Sequence, residues 1–450
     1  MGRDMLNEMK YISTIPFSGL FNWDVKIILG DNIITSKKHP MKPFSYFTRP
    51  ANIQKVKIED EQEYKIIGVR SYGLGAYKNR ITKGKYLKMK VYQQAKLNHL
   101  FWCKVDTKNG AFGIITKELS DGIASFNMMF AELDLSRINP DYLQLLFRCP
   151  KINAYMDSMV TGTTNRKYIR FSDLLSNVKV PVPSLEEQNE LVEEYNKRIT
   201  KSEDLVKEFQ SIDKNILSYF NETIGLKQSN HQTKLLSFIR YKDITSRWDL
   251  FNVTNKLSAD VPIYPLGNFI KDIATGTTPP TSKKEYFNGE VKFYTPSDIR
   301  GDMYLANTER TLTQKAIDDK KARIFQKGDI LFVGIGSTVG KVGIVSDSIV
   351  SSNQQITGIR LDSNKVHPEY VFYYLHYHKE LTTAEYSKTT LPIINQEKIA
   401  NIPIPVPAIE QQVEMVAHMN KMRNKINELY NLSIESRFLA LKNFETQIFE

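Results

Sequence analysis

The chain has 450 residues, 41% of them hydrophobic, which is enough to fill the cores of two to four ordinary domains. It contains no apolar run of about eighteen residues and begins with polar residues, so we expect neither a membrane span nor an export signal. The two cysteines, Cys103 and Cys149, lie far apart, which argues against a disulfide framework or a zinc site and fits a reducing cytoplasm. The net charge of +11 favours a polyanionic partner.

Short apolar runs bounded by Gly, Asn and Asp predict strands in the first half, at residues 64–69, 100–105 and 113–115. Between them, residues 70–104 carry nine basic residues and no Asp or Glu, with tyrosines interleaved. This stretch is either a solvated basic face above packed tyrosines or a surface for phosphate groups. Because no acidic neighbour within the stretch can neutralise these cations, we favour contact with phosphate.

The segment Asn139-Pro140-Asp141-Tyr142 is similar to the Asn-Pro-Pro-Tyr motif of adenine methyltransferases, so an intrinsic methylation activity has to be considered. The second proline is absent, however, and the later counterpart His367-Pro368-Glu369-Tyr370 lacks the asparagine that would receive the target amino group. A helix that starts at a proline is the better interpretation of both segments.

A long helix is predicted after Val180-Pro181-Val182-Pro183-Ser184-Leu185-Glu186-Glu187-Gln188, because these prolines end a sheet and Ser184 with Glu187 matches a capping box. A helix from Leu185 to about Glu222 would be roughly 57 Å long at 1.5 Å per residue. Its apolar residues recur at three- and four-residue steps. They are Val192, Tyr195, Ile199, Val206, Phe209, Ile212, Ile216 and Phe220.

The second half repeats this plan. Ile404-Pro405-Val406-Pro407-Ala408-Ile409-Glu410-Gln411-Gln412 follows the first boundary segment by 224 residues, and strands are predicted at residues 291–294, 329–333 and 343–345. A second long helix is predicted over residues 408–450. Its apolar residues are Val413, Val416, Met419, Met422, Ile426, Leu429, Leu432, Leu441, Phe444 and Ile448.

An apolar seam of this length needs a partner, and the chain supplies two such helices. We predict that they pack as an antiparallel, coiled-coil-like spacer between two similar α+β halves. An ordinary core helix in each half is the alternative. Since one turn of DNA measures about 34 Å, the spacer could hold two DNA-reading domains a turn or somewhat more apart.

The glycine-rich run Gly334-Ile335-Gly336-Ser337-Thr338-Val339-Gly340-Lys341 does not match a nucleotide-binding loop. A Walker loop needs glycine where Ile335 stands and Ser or Thr where Val342 stands. We predict a tight loop between two strands, with its backbone amides, Ser337, Thr338 and Lys341 available to a DNA phosphate. No ordering of Ser, His and Asp and no paired histidine ligands are visible, so we predict no catalytic centre and no bound metal.

Together these features resemble the specificity (S) subunit of type I restriction-modification enzymes. The resemblance rests on the duplicated plan, the two boundary segments with their helices, and Thr275-Gly276-Thr277-Thr278-Pro279 followed by Tyr294-Thr295-Pro296-Ser297-Asp298-Ile299. The first half has no Thr-Gly-Thr-Thr-Pro segment and carries Thr35-Ser36-Lys37-Lys38-His39-Pro40 at about that place, which fits two domains that read different half-sites.

The resemblance implies a first target-recognition domain over residues 1–183, a spacer helix over 184–222, a linker and second target-recognition domain over 223–407, and a second spacer helix over 408–450. Such a chain is non-catalytic, reads a bipartite site in double-stranded DNA and binds methyltransferase subunits, expected to number two. Those subunits carry the S-adenosylmethionine, so no cofactor is expected on this chain. A motor-nuclease subunit joins for restriction.

We expect DNA contacts from basic and polar side chains in both halves, mostly to phosphates and some to base edges. In the first half the candidates are Arg70, Tyr72, Lys78, Arg80, Lys83, Lys85, Lys88, Lys90, Arg166, Lys167 and Arg170. In the second half they are Thr277, Thr278, Lys283, Lys284, Tyr286, Ser297, Arg300, Lys320, Lys321, Arg323, Ser337, Thr338 and Lys341.

Two other functions remain open from the sequence. One is a DNA methyltransferase or nuclease with a degenerate motif, which binding of labelled S-adenosylmethionine by the purified chain would favour. The other is a structural tether that pairs two proteins through the long helices, and the acid-free basic stretch argues against it.

Overall fold

The computed structural model describes residues 34–158, 171–228, 257–383 and 392–450. The candidate residues Arg166, Lys167 and Arg170 lie outside this range. In the described part of the chain, no helix has the length and apolar composition needed to span a membrane.

The fold is mixed α+β and divides into two compact units. Unit 1 combines Met1–Val206 with Tyr430–Glu450, and unit 2 is Lys207–Leu429. The boundaries fall inside the two long helices, Leu185–Thr223 and Ile409–Phe449. Each unit therefore contains a sheet-rich part and one segment of each long helix.

Unit 1 contains a five-stranded sheet in the order β3-β6-β9-β4-β5, a four-stranded sheet in the order β2-β10-β7-β8, and the pair β1-β11. The strands are β1 (Met41–Pro43), β2 (Thr48–Pro50), β3 (Lys55–Lys57), β4 (Glu63–Arg70), β5 (Gly75–Lys83), β6 (Val91–Gln94), β7 (Leu100–Cys103), β8 (Phe112–Ile114), β9 (Ile123–Ala124), β10 (Met128–Leu133) and β11 (Lys179–Pro181). The helices are α1 (Pro140–Arg148), α2 (Pro150–Ser158), α3 (Phe171–Ser176) and the beginning of α4 (Leu185–Thr223).

Unit 2 contains two four-stranded sheets, β15-β22-β19-β20 and β17-β16-β21-β18, and the pairs β12-β13 and β14-β23. The strands are β12 (Lys227–Gln228), β13 (Leu257–Ser258), β14 (Ile263–Pro265), β15 (Ile270–Thr275), β16 (Phe287–Tyr294), β17 (Thr311–Leu312), β18 (Ile324–Gln326), β19 (Ile330–Val333), β20 (Val342–Ile344), β21 (Ile349–Ser352), β22 (Ile356–Leu361) and β23 (Pro403–Pro405). The helices are α5 (Gln314–Asp318), α6 (Pro368–Tyr377), α7 (Lys379–Thr383), α8 (Gln396–Ala400) and the beginning of α9 (Ile409–Phe449).

The predicted strands are confirmed, because each of the six apolar runs overlaps a strand: β4, β7 and β8 in unit 1, and β16, β19 and β20 in unit 2. The proline-started helices are also confirmed as α1 and α6. The Asn139 side chain caps α1 by accepting hydrogen bonds from the backbone N–H of Asp141 and Tyr142, and it donates to Asn189. Asn139 thus caps a helix, a common role for asparagine, which supports the interpretation of this segment as the start of a helix.

In each unit, a buried glutamine from the boundary segment forms hydrogen bonds that connect two helix starts. In unit 1, Gln188 Nε2 donates to the carbonyl oxygens of Arg137 and Pro183, both at 3.0 Å, and its Oε1 accepts from Asn139 N at 2.7 Å. The side chain is fully buried, so these bonds satisfy groups that water cannot reach. They join the start of α1 to the start of α4.

Two of these three bonds recur in unit 2. Gln412 Nε2 donates to the Pro407 carbonyl at 2.8 Å, and its Oε1 accepts from His367 N, at the start of α6, at 2.8 Å. A buried tyrosine adds a matching contact in each unit. The bond from Tyr142 Oη to the Pro181 carbonyl is 2.9 Å, and that from Tyr370 Oη to the Pro405 carbonyl is 2.7 Å.

The long helices share a core within each unit. In unit 1, Leu191 and Tyr195 of α4 pack with Phe444 and Ile448 of α9. In unit 2, Phe220 of α4 packs with Met415, Val416 and Met419 of α9.

The burial of α9 corrects two of the predicted seam residues, since Val413 is 50% exposed and Leu432 is 42% exposed. The buried face instead runs through Met415, Met419, Met422, Ile426, Leu429, Ser433, Ala440, Phe444 and Ile448, in steps of three or four residues apart from the seven between Ser433 and Ala440. A small polar residue, Ser433, occupies the position that the apolar pattern assigned to its neighbour Leu432. Its partner in unit 1 is the buried Ser202, whose Oγ donates to the Ser433 carbonyl at 2.9 Å.

Residues 35–40 do not correspond to the Thr-Gly-Thr-Thr-Pro segment. They precede β1, whereas Thr275 ends β15, which pairs with β22 as β2 pairs with β10. The equivalent loop of unit 1 therefore follows Pro50. Residues 36–39 instead bind the end of α9: Ser36 Oγ donates to the Ile448 carbonyl at 2.6 Å, and His39 Nε2 lies 3.1 Å from the Gln447 carbonyl.

The predicted capping box of α4 is half formed. Ser184 Oγ accepts from Glu187 N at 3.2 Å, as predicted. The Glu187 carboxylate pairs with Lys38 at 3.0 Å instead of turning back to the N–H of Ser184. The tertiary contact with residues 36–39 thus replaces the reciprocal local bond.

Candidate nucleic-acid interface

Several strand ends of unit 2 meet along one edge. The strand register pairs Thr275 with Thr357 and Val333 with Ile356 in one sheet, and Tyr294 with Ser352 and Ile324 with Ser351 in the other. Because each of these residues is the first or last of its strand or lies next to it, the adjoining loops share one edge. These loops are residues 276–283, 295–300, 320–323, 334–341 and 353–355.

Most candidate DNA contacts of the second half lie in these loops. Their positions in the sequence are far apart and had not indicated that they share one edge. They are Thr277, Thr278, Lys283, Ser297, Arg300, Lys320, Lys321, Arg323, Ser337, Thr338 and Lys341. Thr277 links two of the loops, since its Oγ1 accepts from Arg323 N at 2.8 Å and donates to the Lys321 carbonyl at 3.3 Å. The side chains of Lys320, Lys321 and Arg323 are exposed, so this edge presents cations beside hydroxyl groups.

Tyr286 is not a surface residue, which corrects its assignment as a DNA contact. It is 2% exposed and packs with Phe293 and Leu312. Its hydroxyl donates to Asp319 at 3.0 Å, and burial together with this bond raises the pKa of the phenol. The neighbouring Lys284 begins the same short 3-10 helix and is exposed.

The glycine-rich run is a loop between paired strands, as predicted, because β19 and β20 pair on either side of it. Gly336 and Gly340 have φ of +106° and +85°, a conformation that L side chains rarely adopt. Its amides are less available than we expected. Gly334 N donates to the Gln355 carbonyl at 2.8 Å and Gly336 N to that of Pro392 at 3.2 Å, while Gly340 N donates back to Val333. A phosphate bound at this loop would therefore contact its side chains, because several of its backbone N–H groups already donate within the protein.

The turn between β21 and β22, Asn353-Gln354-Gln355, was missed from the sequence. Gln354 is exposed on the same edge, and its Oε1 accepts a hydrogen bond from Thr278 Oγ1 at 2.6 Å. The available signal was a polar triplet between two short apolar runs, which is typical of any turn. Only the strand register brings it beside Thr278.

The basic candidates of unit 1 are spread along a hairpin. The register of β4 with β5 runs from Glu63 opposite Lys83 to Arg70 opposite Gly75, so these ends are roughly 24 Å apart at 3.4 Å per residue. The Arg70 guanidinium lies 4.9 Å from the centre of the Tyr77 ring. Lys78, Arg80 and Lys88 are exposed along or just after β5.

Tyr72 occupies the turn at the Arg70 end of this hairpin. It is 65% exposed and has a φ of +57°, an unusual conformation for a tyrosine, held by a hydrogen bond from its N–H to the Asn109 carbonyl at 2.6 Å. The turn therefore projects an aromatic ring into solvent beside Arg70.

Residues 70–104 contain no Asp or Glu, but carboxylates from outside this stretch reach its lysines. The structure therefore corrects the argument that these cations have no acidic partner. Lys83 and Lys85 both pair with Glu61, at 3.0 and 3.1 Å, and Lys90 pairs with Asp60 at 3.2 Å. The turn before β4 supplies these carboxylates because the 3-10 helix Gly84–Tyr86 packs on it. Exposed ion pairs of this kind are weak, so the lysines can exchange a carboxylate for a phosphate.

Glu61→Gln is expected to strengthen DNA binding if Lys83 and Lys85 contact phosphate, because it removes the carboxylate that competes for both lysines. A matching Lys83→Ala change should reduce the slope of log affinity against log salt by roughly one unit. Both are measured with a fluorescent duplex over a salt series. Asp121→Asn, which releases Lys65 of β4 and leaves Glu61 in place, serves as the control. Equal affinities and slopes in all proteins would remove these two lysines from the interface.

Within the described residues, no group of three or more His, Cys, Asp and Glu side chains is arranged to hold a metal ion. The edge of unit 2 and the hairpin of unit 1 thus offer hydrogen bonds, positive charge and exposed rings. Contacts of this kind serve recognition of nucleic acid.

Comparison with known proteins places this edge in a defined domain. Residues 263–436 match the family model described as the type I restriction modification DNA specificity domain. The chain is 28% identical over 197 residues to the type I restriction enzyme MjaIX specificity subunit of Methanocaldococcus jannaschii, covering 40% of this chain and 44% of that protein. It is 24% identical over 291 residues to the putative MjaX specificity subunit of the same organism, covering 64% of this chain and 62% of that protein.

These alignments span about half the length of the curated relatives. A solved chain from work on complex assembly and conformational transition of the type I R-M system is similar over 93% of this chain and 98% of that one, with a TM-score of 0.56. At 15% identity this likeness concerns the fold alone. The resemblance indicated by the boundary segments is confirmed: residues 263–436 match the model of the type I restriction modification DNA specificity domain, and the chain is similar to specificity subunits of type I restriction enzymes.

Proposed function

We propose that this chain is the DNA-specificity subunit of a type I restriction-modification enzyme and that it carries out no catalysis itself. The observation that carries the proposal is the edge of unit 2, where four loops with cationic and hydroxyl side chains and a fifth with amide side chains lie together within the domain matched at residues 263–436. The sequence-reading groups would be side chains on this edge, with lysines and arginines on the flanking phosphates. Such a protein acts on chromosomal and invading DNA, hence in the cytoplasm.

We further propose that unit 1 reads a second half-site. The support is the recurrence of the Gln188 and Tyr142 bonds as those of Gln412 and Tyr370, which indicates two domains built on one plan. The long helices would then set the distance between the half-sites as an antiparallel spacer. The two interfaces need not be alike, since unit 1 offers a basic hairpin and unit 2 a loop-built edge.

The proposed partners are two methyltransferase subunits, which would carry S-adenosylmethionine, and motor-nuclease subunits in the complete complex. A stripe of exposed apolar side chains supports a docking role for α9. Tyr430, Ile434 and Phe438 lie at four-residue steps on one face, and all three are exposed. Exposed apolar stripes of this kind are suited to packing against an amphipathic helix.

Ile434→Asp is expected to weaken the complex with the methyltransferase subunit at least tenfold, because it places a carboxylate in the centre of this stripe. The binding constant is measured by titrating the labelled chain with purified methyltransferase subunit. Glu435→Gln, at the exposed neighbouring position, should bind like the wild type. Equal affinities for both variants would exclude this face of α9 from the docking surface.

Deletion of the gene is expected to abolish one split, two-part methylated-adenine motif from the host genome. Base-resolved methylation sequencing of strains with and without the gene measures this directly, and reintroduction of the gene should restore the same motif. An unchanged pattern in a host that expresses the methyltransferase subunit would contradict the proposed function.

A further inference from the structure

The turn Asn353-Gln354-Gln355 is held rigidly on the edge of unit 2. Asn353 N donates to the Tyr294 carbonyl at 3.1 Å, and the Gln355 carbonyl accepts from Gly334 N at 2.8 Å. Within the turn, Asn353 Nδ2 donates to Gln355 Oε1 at 2.9 Å and Gln355 N donates to Asn353 Oδ1 at 3.1 Å. The first and third amide side chains are thus used to fix the turn.

Gln354 differs from both neighbours because it is exposed and takes no part in the bonds between Asn353 and Gln355. Its Oε1 accepts from Thr278 Oγ1 at 2.6 Å, which fixes the amide plane. Its Nε2 hydrogens have no acceptor within the described part of the chain. A carbonyl oxygen has a second lone pair, so Gln354 can still donate and accept side by side.

A glutamine amide with a free donor and acceptor matches the major-groove edge of adenine, which presents the N6 amino group and the N7 acceptor. The neighbouring Thr277 ties the same loop to Lys321 and Arg323, whose exposed cations suit the DNA backbone on either side. Two adjacent residues of one loop, Thr277 and Thr278, therefore hold both the phosphate-facing segment and the base-facing glutamine.

We propose that Gln354 reads an adenine in the half-site bound by unit 2 and that Thr278 is its positioning residue. This inference rests on the proposed function and names one base that the subunit recognises. Gln354 Nε2 donates to adenine N7, and Oε1 accepts from the adenine N6 amino group while keeping its bond from Thr278. Fixing the amide before DNA binds avoids ordering it during recognition.

Methylation sequencing tests the pair in a strain that expresses this chain with its methyltransferase subunit. Gln354→Ala should make one adenine position of one half-site degenerate and leave the other half-site unchanged. Thr278→Val, which keeps the shape and removes the hydroxyl, should relax the same position. Thr278→Ser restores the hydroxyl and should return the wild-type motif. Gln326→Ala alters another exposed glutamine of unit 2, at the far end of the β18–β21 pairing, and should leave the motif intact.

A variant that lowers methylation overall would not reveal its motif by sequencing. In that case base preference is measured by DNA binding. The purified chain with its methyltransferase subunit is titrated with duplexes that carry each of the four base pairs at each adenine position of that half-site. The wild type should prefer adenine at one position by about ten- to a hundredfold, and Gln354→Ala by less than about threefold.

The outcomes separate the two levels of the proposal. If the wild type directs a split motif while Gln354→Ala and Thr278→Val keep it unchanged, the inference is overturned and the proposed function stands. If Thr278→Val and Thr278→Ser behave alike, the positioning role of the hydroxyl is wrong. If the wild type directs no motif, the proposed function fails and the inference falls with it.

Discussion

Replacement of Gln188 by alanine is expected to lower the free energy of unfolding of unit 1 by about 3 kcal/mol. The change leaves Asn139 N and the carbonyl oxygens of Arg137 and Pro183 without their partner inside the protein. Each unmade bond to a buried group costs about 1 to 3 kcal/mol, although partial relaxation keeps the total below the sum. Gln412→Ala breaks two bonds, and we expect about 2 kcal/mol in unit 2.

Hydrogen exchange tests this prediction by measuring the protection of the backbone amides that lose their glutamine partner. The amides of Asn139 and His367 should lose protection in the respective variants, and urea titration gives the global effect. Gln411→Ala changes the preceding, only partly buried glutamine of α9 and should alter stability by less than about 0.5 kcal/mol. If Gln188→Ala were as mild as Gln411→Ala, the boundary glutamines would not hold the helix starts together.

Leu429→Glu is expected to destabilise unit 2 by about 4 kcal/mol. Leu429 is 3% exposed on the buried face of α9, so the new carboxylate must lose its water or force the helix away from its core. Leu432→Glu, at a residue 42% exposed, should change stability by less than about 1 kcal/mol. Thermal unfolding of the two purified proteins makes the comparison, because the substitutions are chemically identical.

The same variants bear on assembly. Leu429→Glu, and Ile199→Glu in the partly buried seam of unit 1, should reduce formation of the methyltransferase complex more than binding of the chain to non-specific DNA. Phosphate contacts depend on surface cations, whereas assembly depends on an intact helical core. Normal assembly in both variants would contradict the role of these helices as a structural support.

Regular elements were accessible from the sequence because their signals are local. Alternating and continuous apolar runs predicted β4, β7 and β19, and proline at the first turn predicted α1 and α6. The pattern was less informative on α9, where Ser433 lies in the buried face and Leu432 does not. The spacing of apolar residues identifies the buried face of a helix only where the apolar residues are also the buried ones. At Ser433 they are not, because the hydrogen bond from Ser202 places a polar residue in the buried face.

The candidate interface was harder to predict, since it depends on pairs that are distant in sequence. The acid-free stretch was correctly counted, yet Glu61 reaches Lys83 and Lys85 from the preceding turn. Tyr286 resembled a surface aromatic beside lysines, but Phe293 and Leu312 cover it. Gln354 could not be distinguished from any turn glutamine until the register placed it next to Thr278.

The sequence by itself determined the α+β composition, the repeated boundary segments, the two long helices and the similarity to type I specificity subunits, because all of these depend on residue order and short-range periodicity. Only the tertiary structure decided which loops share the edge of unit 2, which lysines already have carboxylate partners, and why the boundary glutamines recur. Those properties depend on strand register and on the hydrogen bonds of buried groups. Strand register and buried hydrogen bonds join residues that are dozens of positions apart in the sequence. A local sequence pattern therefore cannot predict them.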